Sequence, residues 1–419
     1  MSTPSAVLRS GLILATPILF LGLLACGGDY YDRHYDGFIT QSGYLTKAVA
    51  VADVLGNGKP AVISANAIYG EGLPHRGFIT VRLQDPANVG HFLDPIESDT
   101  GHDPVALALA DLSGGTGLPD LVVAHRQPVA DPEATTTLSL QKHDPTGSGK
   151  FQAPTTLSLG SRNPTDVVLG DLNHDGKPDI VVAADGANTV LVFFQNADGS
   201  FTSTPLAAGG VPTSVAVADL NHDGYQDLVV ATTGGTVSVL IQDAANAGTF
   251  LPIKSYAVGS NPVSVKVAPL SDPNFPDILT ANYGTDSAPT TQGLSVLLHD
   301  PAQAGGFLTA TSYDTGDYLA SSVAVGDPAM VSLVANTPYV VVANQGAPGW
   351  PGSLMVFPTD PAHPGALLAP VPYEGAYGPS AVVIGALSSN AIIAADGGTF
   401  LRYETSTPGA FGTLLQLRQ

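Results

Sequence analysis

Two short loops of this sequence contain the residue types that bind a hard cation. In each loop, oxygen-bearing side chains occupy positions 1, 3, 5 and 9, and glycine occupies position 6, where a sharp turn is needed. The carbonyl at position 7 supplies a further oxygen. The expected ligands are Asp171, Asn173, Asp175, the Lys177 carbonyl and Asp179 in one loop, and Asp219, Asn221, Asp223, the Tyr225 carbonyl and Asp227 in the other.

The donor set favours calcium over magnesium or zinc, because three carboxylates and a carbonyl suit a flexible cation of high coordination number. We therefore expect two Ca²⁺ ions. His174 and His222 stand at position 4 of the loops and are expected to be exposed turn residues rather than zinc ligands. The alternative is that each loop is only an Asp- and Gly-rich turn that binds nothing.

The two loops are copies of one another and belong to a longer repeat. Each follows a short strand rich in alanine and valine and precedes another apolar strand. The same pattern recurs at seven anchor positions with a mean period of about 55 residues, which is typical of a propeller or a solenoid. The anchors are Asp53, Asp111, Asp171, Asp219, Pro269, Asp327 and Ala386.

Between anchors, a second apolar strand pair recurs around an aromatic residue, as at Phe92, Phe250 and Phe307. Each repeat thus contains four short strands separated by Gly, Pro, Asn and Asp. No helical period is sustained after the N-terminal segment. The sequence predicts an all-β fold, a seven-bladed β-propeller of four-stranded blades, with the first strand of each repeat near the axis. A β-helix is the structural rival. The segment 38–44 or the segment 410–417 is expected to close the ring.

Composition limits the domain count and the partners. A continuous repeat over most of the 419 residues argues for one propeller, assigned to residues 38–419. The formal net charge of −21 disfavours nucleic acid and anionic lipid as direct partners, because a polyanionic surface repels both.

The N-terminus has the features of an export signal. An apolar run over residues 11–24 follows Arg9, and it ends at Ala25 and Cys26. Residues 1–25 are therefore predicted to be a lipoprotein signal peptide, Cys26 the lipidated residue and residues 26–37 a tether, which would place the protein in the bacterial cell envelope. An uncleaved membrane anchor is the alternative. Cys26 is the sole cysteine, so no internal disulfide can form.

The loops and their flanking strands resemble the FG-GAP/VCBS repeat of integrin-α-like propellers and of bacterial surface proteins. The resemblance is sharp only at the Asp171 and Asp219 repeats. It implies that the ligand positions given above bind Ca²⁺ at the propeller rim, mainly in a structural role. The other repeats depart from the pattern. We expect two good sites, a weaker third at Asp111 and none in the last three repeats.

Motifs for catalysis are absent or incomplete, so an enzyme is the less favoured interpretation. Residues 144–151 lack the first Gly and the final Ser or Thr of a phosphate loop. The leading hypothesis is a calcium-stabilised binding, adhesion or scaffold module for protein or glycan. The alternatives are a polysaccharide hydrolase or lyase that uses the propeller face, and a purely structural envelope lipoprotein. Trp350 is interpreted either as a sugar-stacking platform on that face or as part of a packed turn.

Overall fold

The computed structural model divides the chain into two units, Met1–Ile39 and Thr40–Gln419. The described residues all belong to the second unit. They are 43–69, 76–88, 91–126, 136–160, 162–185, 188–284, 293–316, 319–326, 338–346, 352–376, 378–386, 390–396, 399–404 and 414–418. The predicted signal peptide, Cys26, the tether, the start of the segment 38–44 and Trp350 lie outside them.

The described elements are all β-strands. The first sheet contains β1 (Gly43–Ala52), β2 (Ala61–Tyr69), β3 (Arg76–Arg82) and β4 (Ile96–Gly101). The second contains β5 (Pro104–Ala110), β6 (Asp120–His125), β7 (Thr136–Gln141) and β8 (Thr155–Gly160). The third contains β9 (Pro164–Gly170), β10 (Asp179–Ala184), β11 (Thr189–Gln195) and β12 (Phe201–Ala207). The fourth contains β13 (Pro212–Ala218), β14 (Asp227–Thr232), β15 (Thr236–Leu240) and β16 (Lys254–Ala257).

The remaining sheets follow the same plan. The fifth contains β17 (Pro262–Asp272), β18 (Phe275–Asn282), β19 (Leu294–Leu297) and β20 (Thr311–Tyr313). The sixth contains β21 (Ala320–Gly326), β22 (Tyr339–Asn344), β23 (Gly352–Pro358) and β24 (Val371–Ala376). The last contains β25 (Pro379–Ala386), β26 (Asn390–Asp396), β27 (Thr399–Glu404) and β28 (Leu414–Arg418). Among the described residues, none lies in a helix long and apolar enough to cross a membrane.

Every sheet is an antiparallel meander of four consecutive strands, which confirms the all-β fold and the four-stranded repeat. The first strands of the sheets lie side by side in chain order, and β1 also lies beside β25, so the sheets form a closed ring. The segment 410–417 supplies β28, which pairs with β27 of its own sheet. The last sheet therefore needs no strand from the N-terminal part of the chain to complete its four strands.

The predicted count of seven blades requires a correction. Six blades, formed by β1–β24, have side chains described along most of their strands and carry hydrophobic cores. In the remaining four-stranded sheet, side chains are described only for the first part of β25, so its packing as a seventh blade lies outside the described residues. The structure thus gives a propeller with six described blades and one further sheet. The repeat predicts four strands in each copy, but it does not determine how the last copy, β25–β28, packs.

Burial explains why these residues form closely packed blades. The second strands β6, β10, β14 and β22 are buried along their whole length, and they are rich in valine and alanine. Small β-branched side chains on both faces let neighbouring blades approach each other closely. Thus Val181 of the third blade packs in one cluster with Leu228 and Val230 of the fourth.

Hydroxyl side chains at the second position of four inner strands each tie one sheet to the next, at four of the seven junctions. Thr213 donates hydrogen bonds to the carbonyls of Ala231 (3.1 Å), in its own blade, and Pro262 (2.5 Å), in the next blade. Ser380 donates to the Thr46 carbonyl at 2.9 Å, which joins the last sheet to the first blade. Thr165 and Ser321 make the corresponding bonds elsewhere in the ring. These contacts link neighbouring sheets at the end of the inner strands that is opposite to the Asp loops.

Candidate metal centre

The two Asp-rich loops connect the first and second strands of neighbouring blades, the third and the fourth. Their backbones follow the same path. Position 4 is left-handed in both (His174, φ 57°; His222, φ 61°), and so is position 6 (Gly176, φ 84°; Gly224, φ 89°). Glycine suits position 6 because a left-handed φ carries no Cβ penalty there. The loops are therefore structural copies as well as sequence copies.

The side chains at positions 1, 3 and 5 hold the loop in shape. Asp171 accepts the N–H groups of Asp175 (3.1 Å) and Gly176 (2.8 Å) on its two carboxylate oxygens. The Asn173 side-chain oxygen also accepts from the Asp175 N–H, and Asp175 accepts from the Lys177 N–H. The second loop repeats all four bonds. Each of these oxygens keeps further acceptor capacity, because a carboxylate or carbonyl oxygen has two lone pairs.

The aspartate at position 9 begins the second strand and is fully buried. Asp179 accepts the N–H of Leu172 at 2.9 Å and that of Gln195 at 2.8 Å. Asp227 accepts the N–H of Leu220 and that of Gln242, both at 2.8 Å. In the described part of the chain, these two main-chain donors are the hydrogen-bond partners of each buried carboxylate.

Electrostatics in both loops favours a bound positive charge. Burial raises the pKa of Asp179 to about 6, two main-chain hydrogen bonds oppose the rise, and the nearby Asp175 and Asp171 raise it further. The same causes raise the pKa of Asp227 to about 7, with Asp223 and Asp219 as the acidic neighbours. Burial and neighbouring negative charges disfavour ionisation of a carboxyl group unless a cation compensates the charge.

The loops of successive blades contact each other through aromatic rings. His174 and His222 are exposed, and each ring contacts position 7 of the next blade. The His174 ring lies 4.6 Å from the Tyr225 ring, centroid to centroid, and the His222 ring lies 5.8 Å from that of Phe275. The position-4 histidines therefore serve as contacts between blades, while the position-7 carbonyls of Lys177 and Tyr225 remain the expected ligands.

The residues fit a calcium ion in donor type, spacing and charge. All proposed donors are oxygens, which is the preference of Ca²⁺, and in each loop two further aspartates are near enough to raise the pKa of the buried one. Among the described residues, no three His, Cys, Asp or Glu side chains are already drawn together as in a metal site. The fit therefore rests on the donor set and on the acceptor capacity of the buried aspartates. Calcium binding at these residues stays a prediction.

The loop of the first blade has a different ending. Asp53 accepts the N–H groups of Leu55, Asn57 and Gly58, as in the other turns. The strand after this loop begins with Ala61, which pairs with Ala52 in the register that Asp179 and Gly170 have in the third blade. With alanine in place of the buried carboxylate, this loop is an Asx-type turn and lacks the position-9 ligand.

The loop of the fifth blade is a hairpin, because β17 runs through Pro269 to Asp272, which pairs with Phe275. Its buried Asp277 contacts Ser271 and His299, which are residue types of a nucleophilic triad. However, the Ser271 hydroxyl lies 3.1 Å from Nδ1 of His299, and Asp277 lies 3.4 Å from the same nitrogen. A relay needs both imidazole nitrogens, one for the hydroxyl and one for the carboxylate, so this trio is not a nucleophilic triad.

A cavity of about 280 Å³ lies on the first blade. It is lined by Ile68, Arg76, Phe78, Glu97, Ser98 and Asp99. Arg76 binds both oxygens of Asp99, at 2.7 and 2.8 Å. Because that ion pair is largely exposed and engages one of the two carboxylates, the cavity offers no prepared acid–base pair.

Sequence reasoning missed the residues that approach the buried aspartates from the third strand. Gln195 is the last residue of β11 and Gln242 lies two residues after β15, and His143 and His299 occupy the corresponding positions in the second and fifth blades. The signal was visible in the sequence, since a Gln or His followed by an Asp or Asn recurs at this point of the repeat. The spacing alone did not show that this residue faces the loop.

The fold and the loops together define a class: a β-propeller of four-stranded blades with cation-type Asp loops at the turn after the first strand. Within this class, the chain contains FG-GAP-like repeats, since the FG-GAP-like repeat family matches residues 115–182 and 171–230. The matched residues include both Asp-rich loops, which confirms the resemblance drawn from the sequence. No curated protein matches the sequence.

Solved structures share the fold at low sequence identity. A Lactobacillus plantarum protein is 15% identical with a TM-score of 0.58, and the match covers 81% of this chain and 92% of that one. A putative 6-phosphogluconolactonase from Bacteroides fragilis is 14% identical with a TM-score of 0.57, covering 90% and 95%. An exotype rhamnogalacturonan lyase has 15% identity and a TM-score of 0.48, covering 90% and 72%. At these identities, the likeness to the first two structures shows the fold alone.

Proposed function

We propose that this propeller is a calcium-stabilised binding and scaffold module, carried on the bacterial cell envelope by a lipid on Cys26. The observation that carries the proposal is the pair of matching loops on adjacent blades, each with a buried aspartate that retains acceptor capacity. Two bound ions would neutralise part of an acidic molecule and stabilise neighbouring blades as a rigid unit.

The binding role follows from rigidity and from the surface. Hydroxyl bridges fix the angles between blades, so loops on the propeller faces are held in constant positions relative to each other. Such a surface suits recognition of a protein or glycan, because little order has to be gained on binding. The Ser271, His299 and Asp277 trio lacks the geometry of a nucleophilic site, which favours binding over catalysis at that loop.

The proposal is tested by two measurements on the purified protein. The first is the calcium content at millimolar free Ca²⁺, with two ions per chain as the expected result. The second is capture of envelope proteins and a glycan array, each with Ca²⁺ and with chelator. Fewer than one bound ion per chain would remove the calcium role. Turnover of a polysaccharide by the protein, with no ligand retained in either screen, would replace the binding role by an enzymatic one.

A further inference from the structure

Four blades place a buried aspartate at the same point, but its partners differ. The second strand begins at Asp120, Asp179 and Asp227 in blades two to four, and Asp277 is its third residue in blade five; each of the four is at most 1% exposed. All four accept the main-chain N–H of the residue at the end of the third strand, which is its last residue in the third blade and lies two residues beyond it in the others. The four sites can therefore be compared atom by atom within one molecule.

In the second blade, protein donors occupy all the acceptor sites of the buried carboxylate. One Asp120 oxygen accepts the N–H and the hydroxyl of Ser113, both at 2.8 Å. The other accepts the N–H of His143 and lies 2.9 Å from Nδ1 of the same residue. A carboxylate offers about four lone-pair sites, so four donors use them all.

The fifth blade has the same arrangement. Asp277 accepts the N–H groups of Leu270 and Ser271 on one oxygen and the N–H of His299 on the other. The Ser271 hydroxyl lies 2.9 Å from both oxygens, and Nδ1 of His299 adds a longer contact of 3.4 Å. Serine at loop position 3 and histidine after the third strand thus act together on the buried carboxylate.

The third and fourth blades replace both donors. Position 3 is asparagine, which turns an oxygen to the loop, as Asn221 does towards the Asp223 N–H. The residue at the end of the third strand is glutamine, and its side-chain amide does not contact the aspartate. Gln195 donates to the Leu112 carbonyl at 2.7 Å, and Gln242 donates to the Gln226 carbonyl at 2.9 Å. Two of the four lone-pair sites remain for a cation on each buried aspartate.

We propose that the residue at the end of the third strand decides which loops bind calcium. Histidine donates to the buried aspartate in place of the ion, and glutamine leaves the acceptor sites of the aspartate to the ion. The inference rests on the proposed calcium role of the two Asp loops. It also implies that the Asp111 loop of the second blade binds no calcium, because Ser113 and His143 already occupy the acceptor sites of Asp120. Histidine and glutamine are therefore specificity-determining residues of the rim.

The test introduces histidine beside a loop that is proposed to bind calcium. In Gln242→His, the main-chain N–H already donates to Asp227, so the new Nδ1 should reach the same oxygen, as it does from His143 to Asp120. Equilibrium dialysis at millimolar Ca²⁺ should then give one ion per chain in place of two, and none in the Gln195→His, Gln242→His double variant. Far-UV circular dichroism confirms that each variant is folded.

The matched control is Gln84→His in the first blade. The Gln84 amide donates to the Pro60 carbonyl at 2.7 Å, as that of Gln242 does to Gln226, but the strand beside it begins with Ala61. This variant should retain two ions. Two ions in Gln242→His, or the same loss in Gln84→His, would overturn the inference and leave the calcium role standing. A wild-type protein that binds no calcium would overturn both.

Discussion

Calcium should raise the thermal stability of the wild-type protein by a predictable amount. Binding to the native state at a hundredfold excess over Kd stabilises it by about 2.7 kcal/mol for each site. For the unit Thr40–Gln419, an unfolding entropy of roughly 2.1 cal/mol/K per residue gives about 0.8 kcal/mol/K. Each site should therefore raise Tm by about 3 °C, and the two sites together by about 7 °C.

The variants Asp175→Asn and Asp223→Asn should each remove about half of this gain. Asparagine retains an oxygen for the N–H of the position-7 residue, so the turn survives while one ligand charge is lost. The assay is a melting curve followed by circular dichroism, in excess Ca²⁺ and then in chelator. The double variant should melt at the same temperature in both conditions.

The controls are Asp198→Asn and Asp243→Asn, in the same two blades. Both aspartates accept an N–H two residues ahead in a turn, where Asp198 is exposed and Asp243 is half-buried, so these variants remove the same charge without touching the loops. Their calcium-dependent gain should equal that of the wild type. A melt of the wild type that is unchanged by chelator would refute the reasoning, and so would an equal loss of the gain in the controls.

Three further predictions concern stability. Burial lowers the pKa of His125, whose ring contacts Ser139, from 6.5 to about 4. The contribution of His125 to stability is therefore constant above pH 6.5, and the free energy of unfolding falls by about 3 kcal/mol as the pH drops to 4. The variant His125→Asn introduces the residue type that other blades have at this position, and it should reduce this pH dependence in urea titrations. Tyr339→Phe should be neutral or raise stability by about 1 kcal/mol in urea unfolding, because the buried Tyr339 hydroxyl finds no partner among the described residues; a loss above 1 kcal/mol would contradict this. Thr213→Val should cost about 1–2 kcal/mol by the same measurement, because the Pro262 carbonyl loses its hydroxyl donor; an unchanged midpoint would show that this bridge is dispensable.

Much of the fold could be predicted from the repeat. Small β-branched runs, turn residues and a constant period determine four-stranded antiparallel sheets, and six of the seven anchors lie where a first strand ends or within one residue of it. The exception is Pro269, which lies inside β17 because a tight hairpin replaces the loop there. The packing of the last sheet could not be predicted, since its copy of the repeat retains the strand pattern but lacks the loop.

The candidate site was predictable in its loops but not in its surroundings. The ligand types and spacing at residues 171–179 and 219–227 depend on local sequence, which a motif captures. The approach of Gln195 to Asp179 joins residues from two strands, and the His174 and Tyr225 contact joins two blades. Such contacts depend on strand register and blade angle, which emerge only when the sheets are assembled.

The four blades with a buried aspartate can be compared for how each compensates for the cost of burying a carboxylate. Every blade from the second to the fifth retains the aspartate, because its two main-chain bonds join the loop and the third strand to the second strand. Retaining it requires compensation for the lost hydration of the charge. Two blades supply this compensation from side chains within the blade, and two leave acceptor sites for an ion. The stability of the third and fourth blades would then depend on calcium, while that of the second and fifth blades would be the same at any calcium concentration.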